Sequence, residues 1–371
     1  MKLNDFKLER FFAKYEFTAP YLLCSSDCES LSIKELLDLE KDSEEEFKKL
    51  RLGYTESQGN PKLREEIAGL YETIKPEEVI VFAGAEEGIF IFMNSLLKSG
   101  DHIIVQFPAY QSLFEIAKSI GCEITNWVMD DKNNWELEIE FLKKNIKENT
   151  KAIILNFPHN PTGYLPSKEK FNEIIEIAKQ KNIHVFSDEV YRLLEYDKNN
   201  ILPPAADCYD KAISLGVMSK TFGLAGLRIG WIATKDKELF RKIASFKDFT
   251  SISNSAPSEF LSILALKHRD FLIKRNLDII EKNLQLLDRF FKEYNNLFEW
   301  VRPKAGSVAF PKIKFDKSVE DFCINLVSKK GVLLLPSTSY DFDDKHFRIG
   351  FGRKNLPEVL EKFEEYIREN F

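Results

Sequence analysis

The sequence predicts an α/β protein in which a large domain, with a mostly parallel sheet flanked by helices, is joined to a smaller discontinuous α+β domain. Between residues 79 and 235, short apolar runs alternate with longer amphipathic stretches. Alternation of this kind is typical of a parallel sheet with crossover helices. After residue 235 long helical periodicity takes over, and short apolar runs return only near the C terminus.

Seven short apolar runs are predicted to be the strands of the large sheet. Their nearly continuous apolar character is typical of strands buried on both faces, and their shortness disfavours helices. Helical stretches such as EEGIFIFMNSLLK, YQSLFEIAKSI and KEKFNEIIEIAKQK separate them. The runs are VIVFA (79–83), HIIVQF (102–107), CEITNW (122–127), KAIILNF (151–157), HVFSDE (184–189), AISLGVM (212–218) and IGWIAT (229–234).

The smaller domain is expected to combine both ends of the chain. Residues 257–295 have helical periodicity, and the helices SVEDFCINLVSKK and LPEVLEKFEEYIREN flank short strand candidates further on. Those candidates are SVAFPKI (307–313), VLLLP (332–336) and HFRIGF (346–351). Residues 1–40 are expected to dock on this part. The predicted division is therefore 41–256 for the large domain, and 1–40 with 257–371 for the small one.

Composition excludes several classes of protein. The 371 residues are 44% apolar, which is too many for a disordered chain. The formal charge of −6, with both signs interspersed, argues against a binder of nucleic-acid backbones. No apolar run approaches the roughly 20 residues of a membrane span. Five scattered cysteines indicate reduced thiols, and the opening stretch lacks a signal-peptide pattern, so we expect a cytoplasmic protein.

Polar residues follow three successive predicted strands. Asn156 and Asn160 come at the end of KAIILNF, Asp188 follows HVFS, and Lys220 follows AISLGVM, with Arg228 eight residues later. Ligands of open α/β sheets bind outside the carboxyl ends of the strands. One such residue alone is usually a turn, a cap or a surface group. Their ordered recurrence indicates a binding site.

These residue types match the needs of pyridoxal phosphate. A lysine amine is required for a Schiff base with its aldehyde, and a carboxylate is required against the ring nitrogen to keep the ring protonated. The phosphate needs a cation and backbone N–H groups. Scattered histidines, and cysteines without partners at zinc spacing, predict no metal site.

The ordered segments GYTESQGNPKLREEIA, NFPHNPTG, SDEVY, SKTFGLAGLRIGW and FRIGFGR resemble fold-type I pyridoxal-phosphate enzymes of the class I/II aminotransferase family. The similarity covers nearly the whole chain. It implies an enzyme that moves an amino group from an amino acid to a 2-oxo acid through a Lys220 Schiff base. It also implies a homodimer.

The resemblance assigns the catalytic roles residue by residue. Lys220 is expected to form the Schiff base and to shuttle the proton at the substrate α-carbon. Asp188 is expected to pair with the pyridinium nitrogen, and Tyr191 and Asn160 to donate hydrogen bonds to the ring's phenolic oxygen. His159, in the same loop as Asn160, is more simply explained as a structural histidine.

The phosphate is expected at a helix N-terminus, where free N–H groups favour an anion. The segment GAEEG (84–88) opens a predicted helix after a strand, so Ala85 and Glu86 would donate backbone N–H groups. The resemblance adds the guanidinium of Arg228 and the hydroxyl of Ser219.

The resemblance also implies cofactor contacts for two tyrosines, and the chain departs from the family's pattern at one position. The resemblance implies that Tyr54 reaches the phosphate across a dimer interface and that Tyr110 stacks on the ring. A packed core tyrosine is the competing interpretation of Tyr110. Many relatives carry a hydroxyl residue three positions before the lysine, where this chain has Val217.

Substrate binding is expected to depend on an arginine. Arg348, in HFRIGFGR, matches the family's carboxylate-binding residue, Asn160 is expected beside it, and Arg353 is the alternative. A bidentate arginine fixes the α-carboxylate and therefore the bond to be broken.

The N-terminal segment suggests a hypothesis about the substrate side chain. Acids beside aromatic residues there favour a cationic amino acid such as arginine or ornithine, whereas ordinary solvated acids are the simpler interpretation. The acids are Glu16, Asp27 and Glu29, and the aromatic residues are Phe11, Phe12, Tyr15 and Phe17.

Two alternative functions stay open from the sequence. The first is a non-transaminating enzyme on the same scaffold: a lyase, a decarboxylase or a cyclising synthase, with a cationic amino acid among its candidate substrates. The second is an idle regulatory protein that binds the cofactor, which the presence of Lys220 and Asp188 disfavours.

Overall fold

The computed structural model describes residues 2–371, which form fourteen α-helices and fourteen strands. The helices are α1 (Lys7–Tyr15), α2 (Ile33–Leu37), α3 (Ser43–Lys48), α4 (Pro61–Ala68), α5 (Ala85–Leu96), α6 (Ser112–Ile120), α7 (Ile139–Asn145), α8 (Lys168–Lys181), α9 (Ala205–Cys208), α10 (Lys237–Lys247), α11 (Ala256–Lys267), α12 (Arg269–Glu293), α13 (Val319–Lys330) and α14 (Leu356–Asn370). The strands are β1 (Tyr21–Leu22), β2 (Val79–Phe82), β3 (His102–Phe107), β4 (Glu123–Val128), β5 (Thr150–Asn156), β6 (His184–Asp188), β7 (Ala212–Val217), β8 (Gly230–Thr234), β9 (Phe298–Glu299), β10 (Val308–Ala309), β11 (Lys312–Ile313), β12 (Val332–Leu333), β13 (Leu335–Pro336) and β14 (Phe347–Gly350).

The large sheet confirms the predicted α/β class. Its seven strands lie in the order β2-β8-β7-β6-β5-β3-β4. Every neighbouring pair is parallel except those of β8, which runs antiparallel to both β2 and β7. Strands β5, β6 and β7 are adjacent and parallel, and Asn156 pairs with Asp188 at the end of two of them. Their carboxyl ends therefore meet at one edge of the sheet.

Strand β4 differs from the expectation that all seven strands are buried on both faces. It pairs only with β3 and so forms an edge of the sheet, where Glu123 and Val128 are exposed. An edge strand lacks a neighbour on one side, and less of its surface is covered. The apolar character of CEITNW predicted the strand correctly but not its position.

Several helix ends are fixed by capping side chains or by a glycine. Ser167 accepts a hydrogen bond from the backbone N–H of Lys170 and so caps α8, which has the predicted bounds. Asp236 caps α10 in the same way. Helix α6 ends at Gly121, whose φ of 98° suits glycine. Caps of this kind satisfy backbone groups that a helix terminus leaves free.

The C-terminal part contains the long helix α12 and several smaller sheets, and β12 packs against α13 and α14. Strands β10, β14 and β13 form an antiparallel sheet, and β9 pairs with β11. The runs SVAFPKI and VLLLP each divide into two short strands. Strand β9 was not predicted, because a two-residue strand leaves no periodic signal.

Residues 23–29, called here the strap, join the N-terminal segment to this C-terminal part. Strand β1 pairs with β12, and just after it Leu23 donates to Leu333 and accepts from Gly350, at 3.0 and 2.7 Å. A Cβ atom on Gly350 would lie 1.8 Å from the Ser25 carbonyl oxygen, so only glycine permits this approach. Strand β1 and the strap therefore contact the C-terminal part, whereas the division into domains stays a prediction. No helix within residues 2–371 is long and apolar enough to cross a membrane.

Candidate active site

A cavity of about 440 Å³ opens where the carboxyl ends of β5, β6 and β7 meet the start of α5, helix α1, the strap and β14. All residues predicted for the site except Tyr54 line this cavity. They are Ala85, Glu86, Tyr110, Asn160, Asp188, Tyr191, Ser219, Lys220, Arg228 and Arg348.

Lys220 places its amine inside this cavity. Its Nζ donates a hydrogen bond to the hydroxyl of Ser26, at 2.6 Å. Burial lowers the pKa of Lys220 to about 8, although the negative charge of Asp27 opposes this shift. A lysine amine with a depressed pKa is neutral for more of the time, and so it is a better nucleophile and base.

Asp188, at the end of β6, is a buried carboxylate without a cationic partner in direct contact. Its Oδ1 accepts from the backbone N–H of Val190 at 3.2 Å, and no described residue donates to Oδ2. Burial raises the pKa of Asp188 to about 7, partly countered by that N–H group and by Lys220. A cationic group of a ligand beside Oδ2 would favour the ionised form of this carboxylate.

Tyr191 and Asn160 are held by neighbouring polar groups. The hydroxyl of Tyr191 donates to the carbonyl of Ser26 at 3.1 Å. Asn160 Oδ1 accepts from the Tyr340 hydroxyl at 3.0 Å and from Arg348 Nη1 at 3.3 Å. Because its oxygen is engaged, Asn160 is left with its NH₂ group to donate to a ligand.

Arg348 and Arg353 differ in whether their charge is already neutralised. Arg348 is 2% exposed and donates to the Cys24 carbonyl at 2.9 and 3.1 Å and to the Tyr340 hydroxyl at 2.7 Å. Across residues 2–371 no carboxylate lies within ion-pair distance of it, whereas Arg353 contacts both oxygens of Asp27 at 3.0 Å. The geometry favours Arg348 as the ligand-binding arginine. Tyr340, which orients it, carried no signal in the sequence.

The start of α5 and Arg228 form a pocket for an anion. Gly84, with a φ of 95°, precedes the helix and leaves its first N–H groups without a side-chain cap. A Cβ atom on Gly84 would lie 2.6 Å from Arg228 Nη2, so the guanidinium lies against the helix N-terminus. Within the described chain no carboxylate pairs with Arg228. Two positive groups so close together are stabilised by an anion between them.

Glu86 and Tyr110 also bring polar side-chain groups to the cavity wall, whereas the sequence predicted a role only for the backbone of Glu86 and the ring of Tyr110. The Ser112 hydroxyl donates to Glu86 Oε1, whereas Oε2 is buried and has no partner in the described structure. Burial raises the pKa of Glu86. The Tyr110 hydroxyl lies 3.4 Å from Glu9, a further acid on the cavity wall.

Tyr54 and His159 lie outside the cavity. Tyr54 is 92% exposed and borders a separate surface cleft, so one copy of the chain does not bring it to the site. The ring nitrogens of His159 contact Thr162 and the Pro108 carbonyl at 2.8 and 2.9 Å. Burial lowers the pKa of His159 to about 3, which agrees with a neutral, structural histidine.

The structure separates the three acids of the N-terminal segment. Glu16 lines the cavity, and no described cation is within ion-pair distance of it. Asp27 also borders the cavity but is paired with Arg353, and Glu29 is not part of the cavity wall and accepts from the backbone of Lys354 at 3.0 Å. In residues 2–371, no group of three or more His, Cys, Asp or Glu residues could hold a metal ion.

The residues of the cavity fit pyridoxal phosphate. A buried lysine with a lowered pKa suits the aldehyde, and the unpartnered oxygen of Asp188 suits a protonated ring nitrogen. The uncapped helix start and the free Arg228 suit a phosphate. Together with the mostly parallel sheet, these features define a fold-type I pyridoxal-phosphate enzyme.

Comparisons with known proteins agree with this class. Residues 20–363 match the family described as "Aminotransferase class I and II". The crystal structure of a PLP-dependent aminotransferase from Streptococcus suis is 32% identical, covers 100% of this chain and 99% of its own, and has a TM-score of 0.94. Capreomycidine synthase of Streptomyces vinaceus is 26% identical over 80% of this chain and 75% of its own length. Aspartate aminotransferase of Sulfurisphaera tokodaii is 28% identical over 85% and 82%.

The chain belongs to the aminotransferase class I and II family. It is a pyridoxal-phosphate-dependent aminotransferase.

The lowered pKa of Lys220 predicts how cofactor loading depends on pH. Only the neutral amine attacks an aldehyde, so the rate of loading into the cofactor-free protein should rise up to tenfold per pH unit below about pH 8 and then level off. The rate can be followed by visible absorbance after mixing with pyridoxal phosphate between pH 6 and 10. A rate that keeps rising towards the ordinary lysine pKa of 10.5 would contradict the prediction.

Proposed function

We propose that this aminotransferase uses Lys220 both to attach the cofactor and to carry a proton at the substrate α-carbon. The observation that carries this proposal is the presence of the Lys220 amine, the Asp188 carboxylate and the free guanidinium of Arg348 in one cavity. Asp188 would hold the protonated ring nitrogen, and Tyr191 and Asn160 would donate to the phenolic oxygen. Ala85, Glu86, Ser219 and Arg228 would hold the phosphate, and Tyr110 would contact the ring.

The residues of this chain would control which bond of the substrate reacts. When bound, pyridoxal phosphate supplies an electron sink for bonds at the α-carbon. Arg348, oriented by Tyr340 and the Cys24 carbonyl, would hold the α-carboxylate, with the NH₂ group of Asn160 beside it. With the carboxylate fixed, the α-hydrogen would face Lys220 Nζ, which would take up this proton and hold it for transfer to a second atom.

The assignment of Lys220 and Asp188 is tested by substitution. Lys220→Ala should abolish the visible absorbance of the loaded enzyme and its turnover. Asp188→Asn should lower the turnover number by at least a hundredfold, because a neutral amide does not keep the ring protonated. Lys237→Ala, at an exposed position of α10, is the control. Normal turnover in Lys220→Ala would contradict the proposed function.

We also propose that the amino donor has a cationic side chain. If Arg228 binds phosphate, Arg348 binds the α-carboxylate and Arg353 stays with Asp27, no free arginine is left in the cavity for an acidic side chain. Two carboxylates without a cationic partner in the described structure, those of Glu9 and Glu16, remain on its wall. This balance of charge favours an ammonium or guanidinium group and disfavours a second carboxylate.

A substrate panel tests this preference. Arginine or ornithine should have a specificity constant at least tenfold above those of alanine, phenylalanine and aspartate. Glu16→Gln should lower the value for the cationic substrates and leave that for alanine unchanged. Glu29→Gln, outside the cavity, is the matched control. Equal specificity constants across the panel would remove the hypothesis of a cationic donor.

The sequence also left a non-transaminating reaction open, and the comparisons match this alternative less well than transamination. The similarity to a relative named capreomycidine synthase supports considering it, because that name denotes a synthase and not a transaminase. The two candidates differ in their products. Formation of a 2-oxo acid coupled to amination of an acceptor such as 2-oxoglutarate or pyruvate marks the transaminase.

A homodimer is proposed from an exposed apolar surface around Tyr54. The Thr55 hydroxyl donates to the Asn254 carbonyl at 3.2 Å, which places this segment beside the loop of residues 249–254. Leu52 and Phe249 are 84% and 88% exposed. A second copy would cover this surface and bring Tyr54 towards the partner's phosphate site.

Sedimentation and cofactor titration test the dimer. The wild type should sediment as a dimer. Tyr54→Phe should stay dimeric and bind pyridoxal phosphate about tenfold more weakly, because a hydrogen bond to a charged phosphate is lost. A monomeric wild type, or an unchanged dissociation constant, would contradict this role of Tyr54.

The domain division and the cellular location remain proposals. The pairing of β1 with β12 supports assigning residues 1–40 with 257–371 to the small domain and 41–256 to the large one. All five cysteines are free, which supports a reducing compartment such as the cytoplasm.

A further inference from the structure

Ser26 of the strap contacts two residues of the candidate site at once. Its hydroxyl accepts from Lys220 Nζ at 2.6 Å, and its carbonyl oxygen accepts from the Tyr191 hydroxyl at 3.1 Å. Ser307 donates to the same carbonyl at 3.0 Å. The backbone of Ser26 is therefore fixed from both the large sheet and the C-terminal part.

The rest of the strap prevents Ser26 from shifting. The Cys24 carbonyl binds Arg348, and the Asp27 carboxylate binds Arg353. Glycine at position 350 lets the strap lie directly against β14. The hydroxyl of Ser26 is thus presented to Lys220 by a rigid segment.

Lys220 has few other means of fixing its amine. Among the described residues, the Ser26 hydroxyl is its hydrogen-bond partner, and no carboxylate lies within 4 Å of Nζ. The lysine side chain is long and flexible, and its amine samples many positions unless something holds it. Proton transfer is efficient only when the base stays within reach of the reacting carbon.

A hydroxyl suits a lysine that changes its protonation state. It accepts a hydrogen bond from the ammonium form and donates one to the lone pair of the neutral amine. A carboxylate would hold the ammonium form alone and would raise the pKa of the amine. Serine therefore holds Lys220 in both forms and raises the pKa of its amine less than a carboxylate would.

We propose that Ser26 is a positioning residue for Lys220, holding its amine whenever that amine is free to act on the substrate. This inference rests on the proposed function of Lys220. In the reaction the lone pair of Nζ would take the proton from the substrate α-carbon, and the ammonium would then pass that proton on to the bound cofactor. Lys220 thus returns to the neutral amine, and Ser26 exchanges no proton in total.

Single-turnover kinetics of the loaded enzyme test the proposal. Ser26→Ala should slow the proton-transfer phase about tenfold and change KM less than threefold. The kinetic isotope effect of Ser26→Ala is measured with α-deuterated arginine or alanine, whichever reacts faster. It should exceed that of the wild type, because proton transfer then limits the observed rate to a greater extent. Ser26→Thr, which keeps the hydroxyl, should restore most of the rate.

A second measurement does not depend on turnover. In the cofactor-free protein, the Lys220 pKa can be measured by NMR of ¹⁵N-labelled lysine. Ser26→Ala should lower it by about half to one pH unit, because the bond to the ammonium form is stronger than that to the neutral amine. Ser307→Ala removes a bond to the Ser26 carbonyl but keeps the hydroxyl, so the pKa should not change.

The outcomes separate this inference from the proposed function. If Lys220→Ala keeps its absorbance and turnover, the proposed function fails. If wild type loads and reacts but Ser26→Ala has the same rate, isotope effect and amine pKa, the role of Ser26 alone is overturned. An equal loss of rate in Ser307→Ala would also overturn it, because a loosened strap would then be the cause. Should Ser26→Ala not fold, Ser26→Cys allows the same comparison.

Discussion

The site depends on charged groups that the folded chain places around one cavity without pairing them with one another. Lys220, Asp188, Arg228 and Arg348 all border one cavity, and across residues 2–371 none forms an ion pair. Asp188 and Arg348 are also buried, and because leaving a buried charge without a partner is unfavourable, proteins normally pair such groups. Here the cofactor offers each group a complementary partner, with an aldehyde for Lys220, a cationic ring nitrogen for Asp188 and a phosphate for Arg228. The substrate offers a carboxylate for Arg348. The unpaired charged groups of the folded chain are thus expected to contribute to the binding energy of the cofactor.

The strap explains how groups from distant parts of the chain keep their geometry. It runs between the large sheet and β14, and its backbone oxygens bind Arg348 and Tyr191. Its side chains bind Lys220 and Arg353. Packing and supporting hydrogen bonds together hold catalytic side chains in their productive geometry. The proposed substrate-binding arginine and the proposed proton carrier are therefore positioned by the same few residues.

Much of the fold and the site could be predicted because their signals are local. The seven strands of the large sheet are short apolar runs, and the polar residues follow them directly in sequence. Because parallel neighbours end at one edge, this order alone placed Asp188 beside Lys220. Tyr340 and Ser26 could not be found in this way. Each acts through a contact made by folding between segments far apart in sequence, and neither lies in a recognisable motif.

The acids of the N-terminal segment show the same limit. The sequence does not distinguish Glu16, Asp27 and Glu29, but in the structure Asp27 pairs with Arg353, Glu29 accepts from the Lys354 backbone, and no described cation lies within ion-pair distance of Glu16. Only the position of Arg353 shows that Asp27 is already neutralised. Glu86 was recognised for its backbone, whereas its side chain also enters the cavity because α5 begins at the cavity wall.

The contact between Arg348 and the Cys24 carbonyl joins residues 324 positions apart in sequence. A ribosome makes the strap early and β14 near the end, so the nascent protein carries the lysine, the aspartate and the sheet for some time before the substrate arginine is anchored. The residues assigned to the cofactor all precede β14 in the chain, whereas the substrate arginine reaches its place only when the first and last parts of the sequence meet.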